Sequence, residues 1–277
     1  MRILGVLAFV TSGCHLVFGS GPEPLPTDAA SDGAVADASD AAIDDARPDA
    51  RPDASGCVGT DHVATLVNDT FIVPDVWPSP SACSPSTRYG TSTTLNLGQA
   101  VGDTMSVSRV LLRFEAPVSL LTALAANHTL GGATLRLQVS NACPGCMSGT
   151  TTIDVHTLVN TWTEGDGNPY VGAGWCMKNG ISQTDQISWG VPGADGPAER
   201  SPSPLAEITA VAPVPNSQIS VPIPAATAPG ISNWISGTQL SLILIAPSGG
   251  PLYMYSREGA LSAPQAAPAL TITTCEP

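Results

Sequence analysis

The residues with the best claim to chemistry lie between Trp162 and Trp189. Glu164, Asp166 and Asn168 alternate in the run TEGDGNP. Oxygen ligands at every second residue of a glycine-rich loop can wrap a calcium ion, so calcium is the one candidate cofactor. The loop lacks the full ligand set of a calcium cage, and a solvated turn is the plainer reading. Glu164 with Asp166 or Glu207 could also act as a glycosidase pair, provided the fold set them across a sugar. Aromatic rings offer a second chemistry. The apolar face of a sugar packs on an exposed indole or phenol whose polar edge stays wet. Trp175, Trp189 and Tyr170 fall in a loop-rich stretch where a flat ring could be exposed, and they are the candidate ligand-binding residues. Alternatively the tryptophans plug the end of a core, since a small core needs its large residues. Trp162 and Trp234 sit beside strands and are expected in the core.

Cysteine is the third reactive type. Cys143-Pro-Gly-Cys146 has the spacing of a redox pair or half a zinc site. A redox pair wants a helix N-terminus to stabilise its thiolate, and a zinc site wants two further close ligands. Neither is evident, so a structural disulfide is expected. HExxH, GxSxG and glycine-rich phosphate loops are absent from the sequence, and no catalytic activity is expected.

These residues need a frame, and periodicity describes it. In SRVLLRFE, Val110, Leu112 and Phe114 point one way, and Arg109, Leu111, Arg113 and Glu115 the other. That period of two marks a strand with one face in a core. GGATLRLQVS repeats the pattern with Leu135, Leu137 and Val139 inward and Arg136 and Gln138 outward. Two such strands need a second sheet over their apolar faces. The outward arginines 109, 113 and 136 could form a ladder with Glu115 or grip an acidic polysaccharide; the ladder is the simpler expectation. TTLNLGQ, TTIDVHTL, SQISVPI, PLYMYS and PALTITT read as further strands, His62–Val67 and Thr70–Val73 as two short strand-like runs, and GGATLRLQVS with TTIDVHTL as a hairpin across a Pro-Gly-containing loop. TQLSLILIA is apolar on both faces and should be covered on both sides. LLTALA is the one plausible helical turn. With 26 Pro and 27 Gly in 277 residues, many short strands joined by turns are favoured over helices.

The ends of the chain bear on location. Met1-Arg2, the apolar run from Ile3 to Val10 and the small residues before Cys14 resemble a bacterial lipoprotein export signal over residues 1–20. Cys14 is the candidate lipid anchor, the only membrane attachment expected; the alternative is ordinary cleavage near Ser20. Residues 21–56 hold eight Asp and one Glu against two Arg. This Ala/Asp/Pro-rich segment should be a disordered, self-repelling tether. The whole chain carries a formal charge of −13 with a single lysine, Lys178, which excludes nucleic acid as the expected partner. If Cys14 is acylated, six cysteines remain for disulfides in an exported chain. Of the many pairings open to six cysteines, the expected set is Cys57–Cys275, Cys143–Cys146 and Cys83–Cys176.

YGTSTTLNLG, SRVLLRFEAP, GGATLRLQVS, the WTEG at Trp162–Gly165, the YSREG at Tyr255–Gly259 and PALTIT stand in an order that resembles the DNRLRE-domain family, also described as disaggregatase-related. The resemblance covers roughly residues 62 to 274. It implies an exported or surface all-β domain, a jelly-roll-like antiparallel β-sandwich similar to carbohydrate-binding modules, here over residues 57–277. It carries over no catalytic residue, and the chain departs from it in its extra cysteines and in the insertion after Tyr170. The expected function is a non-catalytic surface or secreted module binding a polysaccharide or another cell-surface polymer. The alternatives are a structural or adhesive domain with a protein partner and, last, a polysaccharide lyase or hydrolase.

Overall fold

The computed structural model describes residues 59–74, 88–99, 107–141, 149–168, 170–182, 184–211, 213–227, 239–262 and 267–276. The export signal, the acidic tether, Trp77, Trp234 and cysteines 14, 57, 83, 143 and 146 lie outside them. The elements follow in order: β1 (Gly59–Ile72), β2 (Thr94–Gln99), β3 (Val107–Glu115), α1 (Val118–Ala125), β4 (Thr129–Gln138), β5 (Thr150–Thr157), β6 (Met177–Ser182) and β7 (Asp185–Ser188). Then come β8 (Ala206–Val211), β9 (Gln218–Pro224), β10 (Gln239–Gly249), β11 (Leu252–Tyr255), a short helix α2 (Arg257–Ser262) and β12 (Ala269–Cys275).

All strand pairs are antiparallel, and the fold is the expected all-β sandwich. One layer runs β8-β5-β10-β3-β1 and the other β1-β12-β4-β9. β1 belongs to both. Its first half, Gly59–Ala64, pairs with β12; its second half, from Thr65, pairs with β3. The register slips between Leu66 and Asn68, so Val67 is the extra residue of a bulge. A bulge bends and twists a strand, which lets one strand turn the corner between two sheets. The sequence suggested two short strands here; the structure has one with a bend.

β3 and β4, the two strands with the cleanest alternation, lie in opposite layers and cover each other. Val110, Leu112 and Phe114 meet Leu135, Leu137 and Val139 in one aliphatic core, joined by Leu95, Leu97, Ile153, Val155 and Ile219. β4 and β5 do not form the hairpin their spacing suggested. β4 pairs with β12 and β9, whereas β5 pairs with β10 and β8, so the connection crosses between layers. α1 is the helix expected at LLTALA, and Leu120 inserts into the core. α2 had no such signal, because six residues carry too little periodicity to show one.

A second core lies on the far side of the β5-β10-β3-β1 layer. Ile72, Leu111, Ile243 and Ile245 point away from the sandwich and are covered by Leu158, Trp162, Ala173, Trp175, Trp189 and Ala194. The covering residues come from the stretch between β5 and β8, which contains the β6–β7 hairpin. β10 is therefore buried on both faces, as its unbroken apolar run required: Leu242 and Leu244 enter one core, Ile243 and Ile245 the other.

Candidate functional site

The loop aromatics take different places from those expected of a sugar platform. Trp175 and Trp189 are 5% and 3% exposed and belong to the second core with Trp162, at 2%. The expectation for these two tryptophans is corrected: neither ring of 175 and 189 offers a face to solvent. Burial is favoured because the outer face of β3 and β10 carries aliphatic residues that need a cover. The Trp189 indole N–H donates to the Gly174 carbonyl at 2.9 Å, so its one polar atom is satisfied inside. Tyr170 is partly exposed. Its backbone N–H donates to Asn168 Oδ1 at 3.0 Å, and the Asn168 N–H donates to Asp166 Oδ1 at 2.9 Å. These linked Asx turns hold an exposed loop by its own side chains.

The outward arginines of β3 are not in a solvent ladder either. The Arg109 guanidinium lies 5.0 Å from the Trp175 ring centre and donates to the Gly193 carbonyl at 2.5 Å. Gly193 has φ +77°, and a Cβ there would sit 2.8 Å from the Trp175 ring, so glycine alone fits. Asp195 stands 3.3 Å from Arg109 and 2.8 Å from Arg200. Burial lowers the Arg109 pKa; for Asp195, burial pulls upward but the hydrogen bond of Arg200 and the charge of Arg109 win and lower it. Arg113 stacks over Trp162 at 5.2 Å and donates to the Trp162 carbonyl at 2.7 Å. Arg136 remains exposed on β4.

Arg113 leads to the densest polar cluster among the described residues. It donates to Asn68 Oδ1 through Nε at 2.9 Å and again through Nη2. Asn68 in turn donates to Glu164 Oε2 at 2.8 Å, and the Asp69 backbone N–H donates to Glu164 Oε1 at 3.0 Å. Arg257, at the start of α2, bridges Glu164 Oε2 and Glu258 Oε1, both at 2.8 Å, and also donates to the Val67 carbonyl at the bulge. Its backbone N–H donates to Asp69 Oδ2 at 2.7 Å. Burial works against the Arg257 charge, but Glu258 and Glu164 outweigh it and raise its pKa. Thus the WTEG and YSREG segments meet over β1, and Glu164 is turned inward. Gly165 lets this happen: a Cβ there would lie 2.5 Å from the Arg88 side chain and 2.8 Å from the Val171 carbonyl.

This geometry corrects the calcium trio. Glu164 separates from Asp166 and Asn168, which stay on the exposed turn. The carboxylates that do gather are Asp69, Glu164 and Glu258, with oxygens within 4.8 Å of one another. They do not fit a divalent ion. The Arg257 guanidinium already contacts two of the three, and a second cation beside it would be repelled. A raised carboxyl next to a carboxylate is also what a glycosidase needs. Burial, opposed by the Arg257 N–H and helped by the charges of Glu258 and Glu164, pushes Asp69 up to about 8. Yet Asp69 is 1% exposed, and the side chains of Glu164 and Glu258 are 13% and 23% exposed. The acid is thus shut away from the surface, and the cluster ties β1, α2 and the stretch between β5 and β8 to one another.

Asp69 was the residue sequence reasoning missed. A carboxylate opening the strand run DTFIV, where both faces are buried, was its signal. Cys176 and Cys275 are both disulfide-bonded. The remaining members of the three expected pairs lie outside the described residues. No known protein-family model matches the chain, and no curated protein matches it.

Proposed function

We propose that this chain is an exported, non-catalytic β-sandwich module that binds a polysaccharide or another extracellular polymer at the edge carrying Tyr170. The observation behind this reading is the contrast among the three aromatics: the tryptophans are buried and Tyr170 is not. Beside it stand exposed Asp166 and Asn168, whose linked turns hold the loop before any ligand arrives. A pre-ordered loop loses little entropy on binding, and a phenol face with neighbouring amide and carboxylate groups suits a sugar. The bonded state of Cys176 and Cys275 supports an oxidising compartment, in keeping with the export signal and with Cys14 as the anchor. The test is affinity electrophoresis through a panel of neutral and acidic polysaccharides. Retention of the wild type that falls several-fold in Tyr170→Ala supports the reading; no retention on any polymer removes it.

A second reading has its own observation. Ile181, Ile187 and Val191, all from the same stretch, are 72%, 49% and 43% exposed. Exposed apolar side chains within one short stretch suit a protein partner, which makes a structural or adhesive domain the runner-up. Ile181→Asp separates the two, since it should weaken a protein contact and leave polysaccharide retention unchanged.

A further inference from the structure

We propose that Asp69 and Glu258 share one proton, and that this proton fastens the stretch between β5 and β8 to the sandwich, making the attachment pH-sensitive. The inference stands apart from the polymer-binding reading, because it concerns how the second layer is held and not what it meets.

Charged groups from several elements meet around Asp69. Asp69 comes from β1, Arg113 from β3, Glu164 from the covering stretch, and Arg257 and Glu258 from α2. Arg88, in the segment before β2, lies against Gly165. Arg257 joins Glu164 to Glu258, and Arg113 reaches Glu164 through Asn68. Those contacts engage Glu164 and one oxygen of Glu258; the third carboxylate, Asp69, is the deepest. Asp69 Oδ2 has the Arg257 N–H, but Oδ1 is buried with no donor in reach. An ionised oxygen cannot remain there without large cost. A carboxyl oxygen of Glu258 lies within 4.8 Å of one of Asp69, and a proton between two such carboxyl groups is what turns that approach into a hydrogen bond. A metal ion is the other way to hold such oxygens together, and the guanidinium of Arg257, 2.8 Å from Glu164 and from Glu258, would repel it.

The proton matters beyond its own bond. Glu164 is tied to the Asp69 backbone N–H and to Arg257, which is tied to Asp69 Oδ2. Ionising Asp69 places a new negative charge beside Glu164 and Glu258. Repulsion then acts on the residue that pins WTEG, and with it Trp162, to β1. The sign follows from linkage. A carboxyl raised by folding contributes its stability in full below the unfolded value near 4, and loses it as pH rises towards about 8.

The experiment follows thermal unfolding and amide exchange of the full chain from about pH 5 to about pH 9, for wild type and for Asp69→Asn. The amide introduced by that substitution can donate to Glu258 at every pH. The wild-type Tm should fall by roughly 5 °C or more across this range, with exchange across 159–205 rising beyond its intrinsic pH dependence. The variant should show a flat Tm profile over the same range. Parallel profiles for the two proteins overturn the proposal. Should Asp69→Asn fail to fold, carbon-13 titration of the wild-type carboxyls decides instead. An Asp resonance titrating far above the ordinary carboxylate range supports the shared proton, and all Asp titrating normally overturns it. A gain in wild-type Tm on adding millimolar calcium at about pH 8, reversed by chelator, also overturns it in favour of a cation site.

Discussion

The two faces of the β5-β10-β3-β1 layer solve the same problem with different chemistry. On the inner face, Val110, Leu112 and Phe114 of β3 pack against the aliphatic side chains of β4 and need nothing else. On the outer face of the same strand, Leu111 sits between Arg109 and Arg113, and the cover consists of tryptophans, glycines and ion pairs. An aliphatic core is non-directional and tolerant of small shifts. The outer layer is directional: each arginine must stack on one ring and reach one carbonyl. That layer should therefore be the weaker unit and the first to open, as local stability follows the density of apolar contacts.

Truncation on each side tests this difference. The largest effect is expected from Phe114→Ala, which should cost about 3–5 kcal/mol and unfold the whole domain as one unit in a denaturant titration. Trp175→Ala removes a similar volume from the outer side. Its loss should instead appear as raised amide exchange across 159–205, with β4, β9 and β12 keeping their protection. If both variants melt as one cooperative unit with equal loss, the two cores are not separable and the comparison breaks.

Smaller changes sharpen it. Arg113→Met keeps the bulk over Trp162 but leaves the Asn68 side chain and the Trp162 carbonyl without their donor. About 1–3 kcal/mol should be lost, again confined to the outer layer by exchange. The acidic side has its own prediction, opposite in sign to that of Asp69. Asp195 has a lowered pKa, so its contribution is present above the ordinary Asp range and lost as pH falls through its folded value. Its side chain is 42% exposed, so the screened effect should be small, and Asp195→Asn should shift Tm at neutral pH by a degree or two at most. Smallest of all is Tyr170→Ala, which should change stability by less than about 0.5 kcal/mol while altering any binding at that edge. A large loss of stability there would place Tyr170 in the outer core with the tryptophans.

Strand periodicity made much of this architecture legible. SRVLLRFE and GGATLRLQVS state their inward residues correctly, and the double-sided run in TQLSLILIA announces a cover on each face. Leu111 was the neglected clue, since an apolar residue between two outward arginines means that face is not bathed in water. What periodicity cannot express is the fold of an aperiodic stretch. The positions of Trp175 and Trp189 depend on contacts with β3 and β10, far away in sequence, and composition alone left open whether they faced in or out. The meeting of WTEG and YSREG over Asp69 was hidden for the same reason. The segments were visible as motifs, but residues 164 and 257 come together only through the order of strands. The single strand β1 looked like two because a bulge interrupts the alternation its reading relied on.

The indole N–H of Trp189 reports most directly on whether the loop-rich stretch is a packed second layer. It is held by the Gly174 carbonyl inside that layer. Proton exchange of this group, followed by NMR with Trp189 assigned by substitution to Phe, should be slowed by several orders of magnitude relative to free indole. Exchange at the free rate, with the rest of the sandwich still protected, would show a ring in water and contradict the second core.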